Sequence, residues 1–194
     1  MKLIFATGNK GKLREASEIL GPAYALMTPA DFGITEEIPE TGETLEENSI
    51  QKAEYIYSRT GQDCFADDTG LEVDCLGGAP GVYTARYAGE HCSFDDNMEK
   101  LLSEMAALGP DVPRTARFRS VVTLIRKGEK HCFEGCVEGK IAFQRSGAKG
   151  FGYDPVFSPD GFGVKTFAEI PEEEKNAVSH RGRALRAMAA WLAR

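Results

Sequence analysis

The sequence has no apolar run long enough to cross a bilayer. Its longest apolar stretches are a few residues, against the roughly 20 that a spanning helix needs. It has no CxxC pair. Its five cysteines, Cys64, Cys75, Cys92, Cys132 and Cys136, stand at irregular spacing, so neither a disulfide framework nor a structural zinc site is expected. A reducing cytoplasm is the expected home. Residues 1–6 are too short for the apolar core of a signal peptide, and Gly8-Asn9-Lys10 interrupts them at once. Positive charge is in deficit: 23 Lys and Arg against 30 Asp and Glu leave −7. That excludes a whole-surface grip on DNA or RNA, while a basic pocket remains compatible with it. There is no repeat, low-complexity tract or linker, no GxSxG and no GxxxxGK[ST] loop.

What is present suits a folded chain. At 42% hydrophobic residues the 194-residue sequence is too apolar for disorder. Its length lets it bury about two thirds of its unfolded surface. Residues 2–6 form a β-prone run. Leu13, Ala16, Ile19 and Leu20 make a helical stripe over 12–20 that Gly21-Pro22 stops. Thr44 and Glu47 fit a capping box that opens a second helix, with Ile50, Ala53 and Ile56 on its buried face and Gly61 at its end. Two short strands, 63–66 and 71–75, flank Asp67-Asp68-Thr69-Gly70. A third helix follows Ser93, with Met98, Leu101, Leu102 and Met105 inward and Gly109-Pro110 as its stop. Residues 115–126 form the longest strand, and Gly128 turns it into a hairpin with 131–137. A last helix begins near Arg181 and carries Leu185, Met188, Ala189 and Leu192. Early alternation of strand and helix, followed by hairpins, predicts an α/β protein with a mixed sheet in a single domain over 1–194. Cys64, Cys75, Cys132 and Trp191 read as packing residues.

Four segments carry candidate chemistry. Thr7-Gly8-Asn9-Lys10-Gly11-Lys12 stands between a strand and a helix. Backbone N–H groups at a helix start attract anions, glycines admit a phosphate closely, and two lysines add charge. The alternative is a tight turn with two solvated lysines. Asp67 and Asp68 are neighbours on a strand and therefore point to opposite faces, so one of them should dominate a given site. Mg2+ is commonly held by one or two carboxylates plus substrate phosphates, and a second carboxylate is available in 36–47. Within that stretch Glu47 reads equally well as a helix cap, and Glu43 and Glu46 as solvated charge. Gly150-Phe151-Gly152-Tyr153-Asp154 offers a ring able to stack on a base, or a core aromatic in a tight loop. Ser179-His180-Arg181, with Lys175 upstream, offers a guanidinium that can only donate, or a basic helix start. Arg114, Arg117 and Arg119 fit phosphate contacts or an outward strand face equally.

Five segments then agree in order: TGNKGK at 7–12, ENSIQKA at 47–53, ADDTGLEVDCLGGAPGVYTARYAG at 66–89, GFGYDPVF at 150–157 and EEKNAVSHRGRAL at 173–185. On these the chain resembles the inosine triphosphate pyrophosphatase (Ham1-like) family. The resemblance implies a long mixed sheet flanked by helices, in two lobes with a cleft. It implies a Mg2+-dependent, cytoplasmic homodimer acting on a small-molecule nucleotide, with no nucleic-acid polymer or membrane as partner. It implies cleavage of ITP, dITP and XTP to the monophosphate and pyrophosphate, which clears deaminated purines from the nucleotide pool. Thr7, Gly8, Asn9, Lys10, Gly11 and Lys12 would hold the triphosphate. Glu40 and Asp68 would bind the metal, with Glu43 or Glu47 as alternatives to Glu40, and Asp68 would also be the base for the attacking water. Lys52 and Thr69 would contact the substrate. Phe151, Gly152, Tyr153, Asp154, Lys175, His180 and Arg181 would hold the purine.

Overall fold

A computed structural model describes residues 1–194. Its elements run β1 (Lys2–Phe5), α1 (Lys10–Leu20), β2 (Ala25–Met27), α2 (Leu45–Thr60), β3 (Cys64–Val73), β4 (Pro80–Gly81), α3 (Phe94–Ala107), β5 (Thr115–Arg126), β6 (Glu129–Ile141), β7 (Phe157–Pro159), α4 (Glu172–Val178) and α5 (His180–Leu192). The strands form one sheet in the order β2-β1-β3-β5-β6-β7, with β4 paired to β3. β1 is parallel to β2 and β3, whereas β3–β4 and β6–β7 are antiparallel. The mixed-sheet α/β expectation is met.

The chain forms two compact units. The first comprises 1–69, 120–135 and 180–194; the second comprises 70–119 and 136–179. Three of the four dividing points fall inside β3, β5 and β6, and the fourth between α4 and α5. In the first unit, Leu3, Phe5, Phe65, Val122, Leu124 and Leu185 form one buried cluster, and Phe5 stacks on Phe65 at 4.4 Å. A second cluster there gathers Ile4, Ala53, Ile56, Cys64 and Ile125. In the second unit, Phe118, Phe157 and Phe167 anchor a cluster with Leu71, Leu101 and Met105. The apolar stripes of α1 and α5 meet the first of these clusters, that of α2 the second and that of α3 the third.

Thr44 and Ser93 open α2 and α3 with reciprocal capping boxes, as the sequence predicts for Thr44. Other expectations are corrected. The two strands placed at 63–66 and 71–75 are one strand, β3, and the acidic pair lies in its interior rather than at an end. Such a position is tolerable because both carboxylates find cations there, as described below. β6 runs on to Ile141, beyond the predicted 137. Cys132 is exposed and Cys75 half-buried, so neither is a core residue. Cys64 is buried, and burial pushes its thiol up to about 12. Leu102 is half-buried. β2, β4, β7 and α4, from two to seven residues long, have no periodic signature that reading the sequence would detect.

Candidate active site

The first unit brings together most of the candidate polar residues. The turn between β1 and α1 is organised by its own side chains. Asn9 caps α1, its Oδ1 accepting from Gly11 N at 2.9 Å and Lys12 N at 3.1 Å. Thr7 Oγ1 accepts from Asn9 N at 3.1 Å. Lys10 and Gly8 are exposed, and Thr7, Asn9, Gly11 and Lys12 are half-buried. The turn therefore presents a helix start and a free-standing lysine to solvent, a combination suited to an anion.

Asp67 and Asp68, on opposite sides of β3, serve separate ion-pair groups. Asp67 Oδ1 accepts from Lys12 Nζ at 2.9 Å, and Oδ2 from Arg181 Nε at 2.9 Å. Arg181 also donates to Glu15 through Nη1 and to Thr69 Oγ1 through Nη2, the latter at 3.4 Å. Thr69 Oγ1 in turn donates to Ser120 Oγ at 3.1 Å. Arg181, Glu15 and Asp67 are all buried. Burial alone would raise the Asp67 carboxyl, but Lys12 and Arg181 overcome it and hold the group well below the usual carboxylate range. Burial also lowers the Lys12 ammonium, against the pull of Asp67.

Asp68 Oδ1 accepts from Lys52 Nζ at 2.8 Å, and the same ammonium donates to Glu40 Oε1 at 2.6 Å. Asn48 Nδ2 donates to Asp68 Oδ2 at 3.4 Å. Asn48 and Lys52 lie one turn apart on α2, so helix geometry aims both at β3. Burial raises the Asp68 pKa, Lys52 and Lys12 oppose it, and Glu40 adds to it; the net shift is upward. Lys52 is shifted upward too, because Asp68 and Glu40 outweigh its burial.

The loop that carries Glu40 is pinned to α2. Gly42 N donates to Asn48 Oδ1 at 2.7 Å. A side chain at Gly42 would put its Cβ 2.6 Å from Glu47 Cβ, so only glycine permits this approach. Glu47 Oε2 accepts from Glu43 N at 2.7 Å and from Thr44 N at 3.2 Å. Glu47 is thus a helix cap, while Glu40 is the acidic side chain of this stretch that reaches Lys52. No group of three or more His, Cys, Asp or Glu side chains gathers as a metal-ligand cluster. The test of fit for a divalent cation is instead the ammonium of Lys52, which marks the point where two carboxylates converge. Two carboxylates with substrate oxygens are a suitable donor set for a hard cation.

The second unit holds a different group. Asp154 Oδ2 accepts from Phe151 N at 2.9 Å and from Lys175 Nζ at 2.6 Å, and Lys175 Nζ stands 5.3 Å from the Phe151 ring centroid. Gly150 has φ +77°, and a Cβ there would fall 1.9 Å from Asp154 Oδ2. Gly152 follows the half-buried Phe151. Tyr153 is buried and donates its hydroxyl to Thr84 O at 3.0 Å, so it packs in the core of this unit. Arg117 and Arg119 pair with Glu138, Asp74 and Glu72. His180, buried at the start of α5, belongs to the first unit.

Glu15 and Asn48 were not singled out from the sequence. Asn48 had a legible signal, since it lies four residues before Lys52 on the same helix face. Glu15 had none, because its partner Arg181 is remote in the chain.

A capped helix start with lysines, beside buried carboxylates on a strand, is an arrangement suited to a polyanion. The comparisons with known proteins narrow this. Residues 3–191 match the Ham1 family. The dITP/XTP pyrophosphatase of Flavobacterium johnsoniae is 49% identical over 185 residues, covering 95% of this chain and 94% of that one. The protein of that name from Porphyromonas gingivalis is 50% identical over 184 residues, covering 95% and 93%. A HAM1 protein from Coxiella burnetii superposes with a TM-score of 0.89 at 35% identity, covering 100% of this chain and 98% of that one. The chain belongs to the Ham1 family.

Proposed function

We infer that the chain hydrolyses deaminated purine nucleoside triphosphates (ITP, dITP and XTP) to the monophosphate and pyrophosphate. The observation that carries this reading is the Glu40–Lys52–Asp68 group, in which Lys52 and Asp68 are buried and Asp68 is shifted upward and held by a helix lysine. Relatives named dITP/XTP pyrophosphatase over nearly their full length support the substrate class.

In this reading Asp68 orients the attacking water and takes its proton. Burial raises the Asp68 carboxyl above its ordinary value, and a raised carboxyl is a stronger base once ionised. Lys10, Lys12 and Lys52 offset the phosphate charge and the charge that develops on the leaving pyrophosphate. Thr7 to Lys12 cradle the phosphates through the α1 start, and Thr69 contacts the substrate. Mg2+, held by Glu40 and Asp68 with phosphate oxygens, would supply charge neutralisation and a more acidic water when bound.

Phe151 stacks on the base, with Gly152, Asp154, Lys175 and His180 around it, while Tyr153 supports the loop from the core of the second unit. Hypoxanthine and xanthine carry a carbonyl at C6, where adenine carries an amino group. A donor such as Arg181 donates to the first and opposes the second, and leaving such a donor unpaired costs about 1–3 kcal/mol. Arg181 also donates to Asp67, Glu15 and Thr69, bonds that fix the orientation of its guanidinium. We further propose that the chain acts as one Ham1-type domain in a cytoplasmic homodimer.

Incubation with ITP and Mg2+ tests the reading. IMP and pyrophosphate in equal amounts are expected; release of orthophosphate alone would overturn it.

A further inference from the structure

An exposed aromatic residue in the second unit adjoins the loop assigned to the base. Phe94 is 48% exposed, yet its ring centroid lies 6.2 Å from that of Phe151, with the planes inclined by 41°. Aromatic pairs attract at this separation. Phe94 is the first residue of α3, directly after the N-cap Ser93. Ser93 Oγ accepts from Asp96 N at 3.1 Å, and Asp96 Oδ2 accepts from Ser93 N at 2.7 Å. This reciprocal cap fixes the backbone from which Phe94 projects. The next residue, Asp95, accepts from Arg145 twice: at Oδ1 from Nη1 at 2.7 Å, and at its carbonyl from Nη2 at 2.8 Å. Arg145 stands in the segment that leads from β6 to Phe151. The start of α3 therefore meets this segment at two places, one ionic and one aromatic.

Phe151 is a loop residue. It lies outside every strand and helix, between glycines at φ +77° and +64°. Its N–H is held by Asp154, and the Lys175 ammonium approaches its ring. Phe94 is an aromatic neighbour of the same ring.

We propose that Phe94 is a positioning residue for Phe151, restraining that ring in the orientation that receives the purine. The inference rests on the reading of Phe151 as the base-stacking residue. A ring ordered before the nucleotide arrives lowers the ordering that binding must supply, so the effect falls on affinity and not on the hydrolytic step.

Steady-state kinetics with ITP test it. Phe94→Ala raises KM about threefold to tenfold, the factor an aromatic pair contributes, while kcat holds. Phe94→Tyr restores the original KM. Leu108→Ala, which removes a comparably exposed apolar side chain just beyond the far end of α3 (51% exposed), leaves KM unchanged. In a Phe151→Ala background, adding Phe94→Ala produces no further rise. If Phe151→Ala alone leaves KM unchanged, the base-stacking reading falls and the inference with it. If Phe151→Ala raises KM but Phe94→Ala does not, or if the two rises multiply, the inference alone falls. A Phe94→Ala defect that Phe94→Tyr fails to rescue also overturns it.

Discussion

Lys52 Nζ lies 2.8 Å from Asp68 Oδ1 in a buried part of the first unit, with the Glu40 carboxylate 2.6 Å from the same ammonium. One cation thus holds two carboxylates that would otherwise repel. Removing the Asp68 charge while keeping its shape separates chemistry from folding. Asp68→Asn is expected to lower kcat on ITP by about 10²- to 10⁴-fold, the range for a lost general base. Circular dichroism and melting temperature should show the fold retained. A variant with substantial remaining turnover would remove Asp68 from the role of base.

Asp67 is expected to matter through stability. Its side chain is 1% exposed and pairs with Arg181, itself 3% exposed. Asp67→Asn leaves that guanidinium beside one fewer carboxylate, a change that destabilises by about 3–5 kcal/mol when a buried pair is broken. The pH dependence follows from the depressed carboxyl. A group whose folded pKa lies below its unfolded value contributes stability above the unfolded value. That contribution is lost as pH falls through the ordinary carboxylate range, about pH 4, and below. Urea denaturation from pH 7 downward should show this loss in the parent protein and a smaller one in Asp67→Asn. Equal slopes would refute the assignment.

Glu40 and Glu47 are separable by substitution. Thr44→Ala removes the side-chain cap of α2 and should destabilise by about 1 kcal/mol without altering KM. Glu47→Gln keeps an acceptor for the Thr44 and Glu43 N–H groups and should retain ITP hydrolysis. Glu40→Gln should lose most of it. Loss with Glu47→Gln and retention with Glu40→Gln would exchange the two roles.

The cysteines should differ in reactivity. Cys64 is fully buried with its thiol pushed up to about 12, so almost none is thiolate at pH 8. Cys132 is exposed. Iodoacetamide at pH 8 followed by peptide mass spectrometry should label Cys132 in the native protein and Cys64 only after denaturation. Early labelling of Cys64 would contradict its burial.

Much of the molecule was legible in the chain alone, for local reasons. α2 and its cap follow from Thr44, Glu47 and the stripe Ala53–Ile56, because helix periodicity and capping act within four residues. β5 follows from its 12-residue β-prone run, which the structure reproduces as Thr115–Arg126. The opposite orientation of Asp67 and Asp68 follows from strand geometry.

Other features depend on residues that meet only after folding. The sequence left Glu40, Glu43 and Glu47 open as partners of the acidic pair. Tertiary structure distinguished them: Asn48 and Gly42 draw the 40s loop onto α2, so Glu40 meets Lys52 while Glu47 is taken by its own backbone. β3 could be continuous through Asp67 and Asp68 only because Lys12, Lys52 and Arg181, from three different helices, supply the charge that their burial demands. Periodicity, caps and turns are properties of neighbours in sequence, and the chain determined them by itself. Buried charge is neutralised by groups 16 to 166 positions away, so tertiary structure alone decided how the carboxylates are paired.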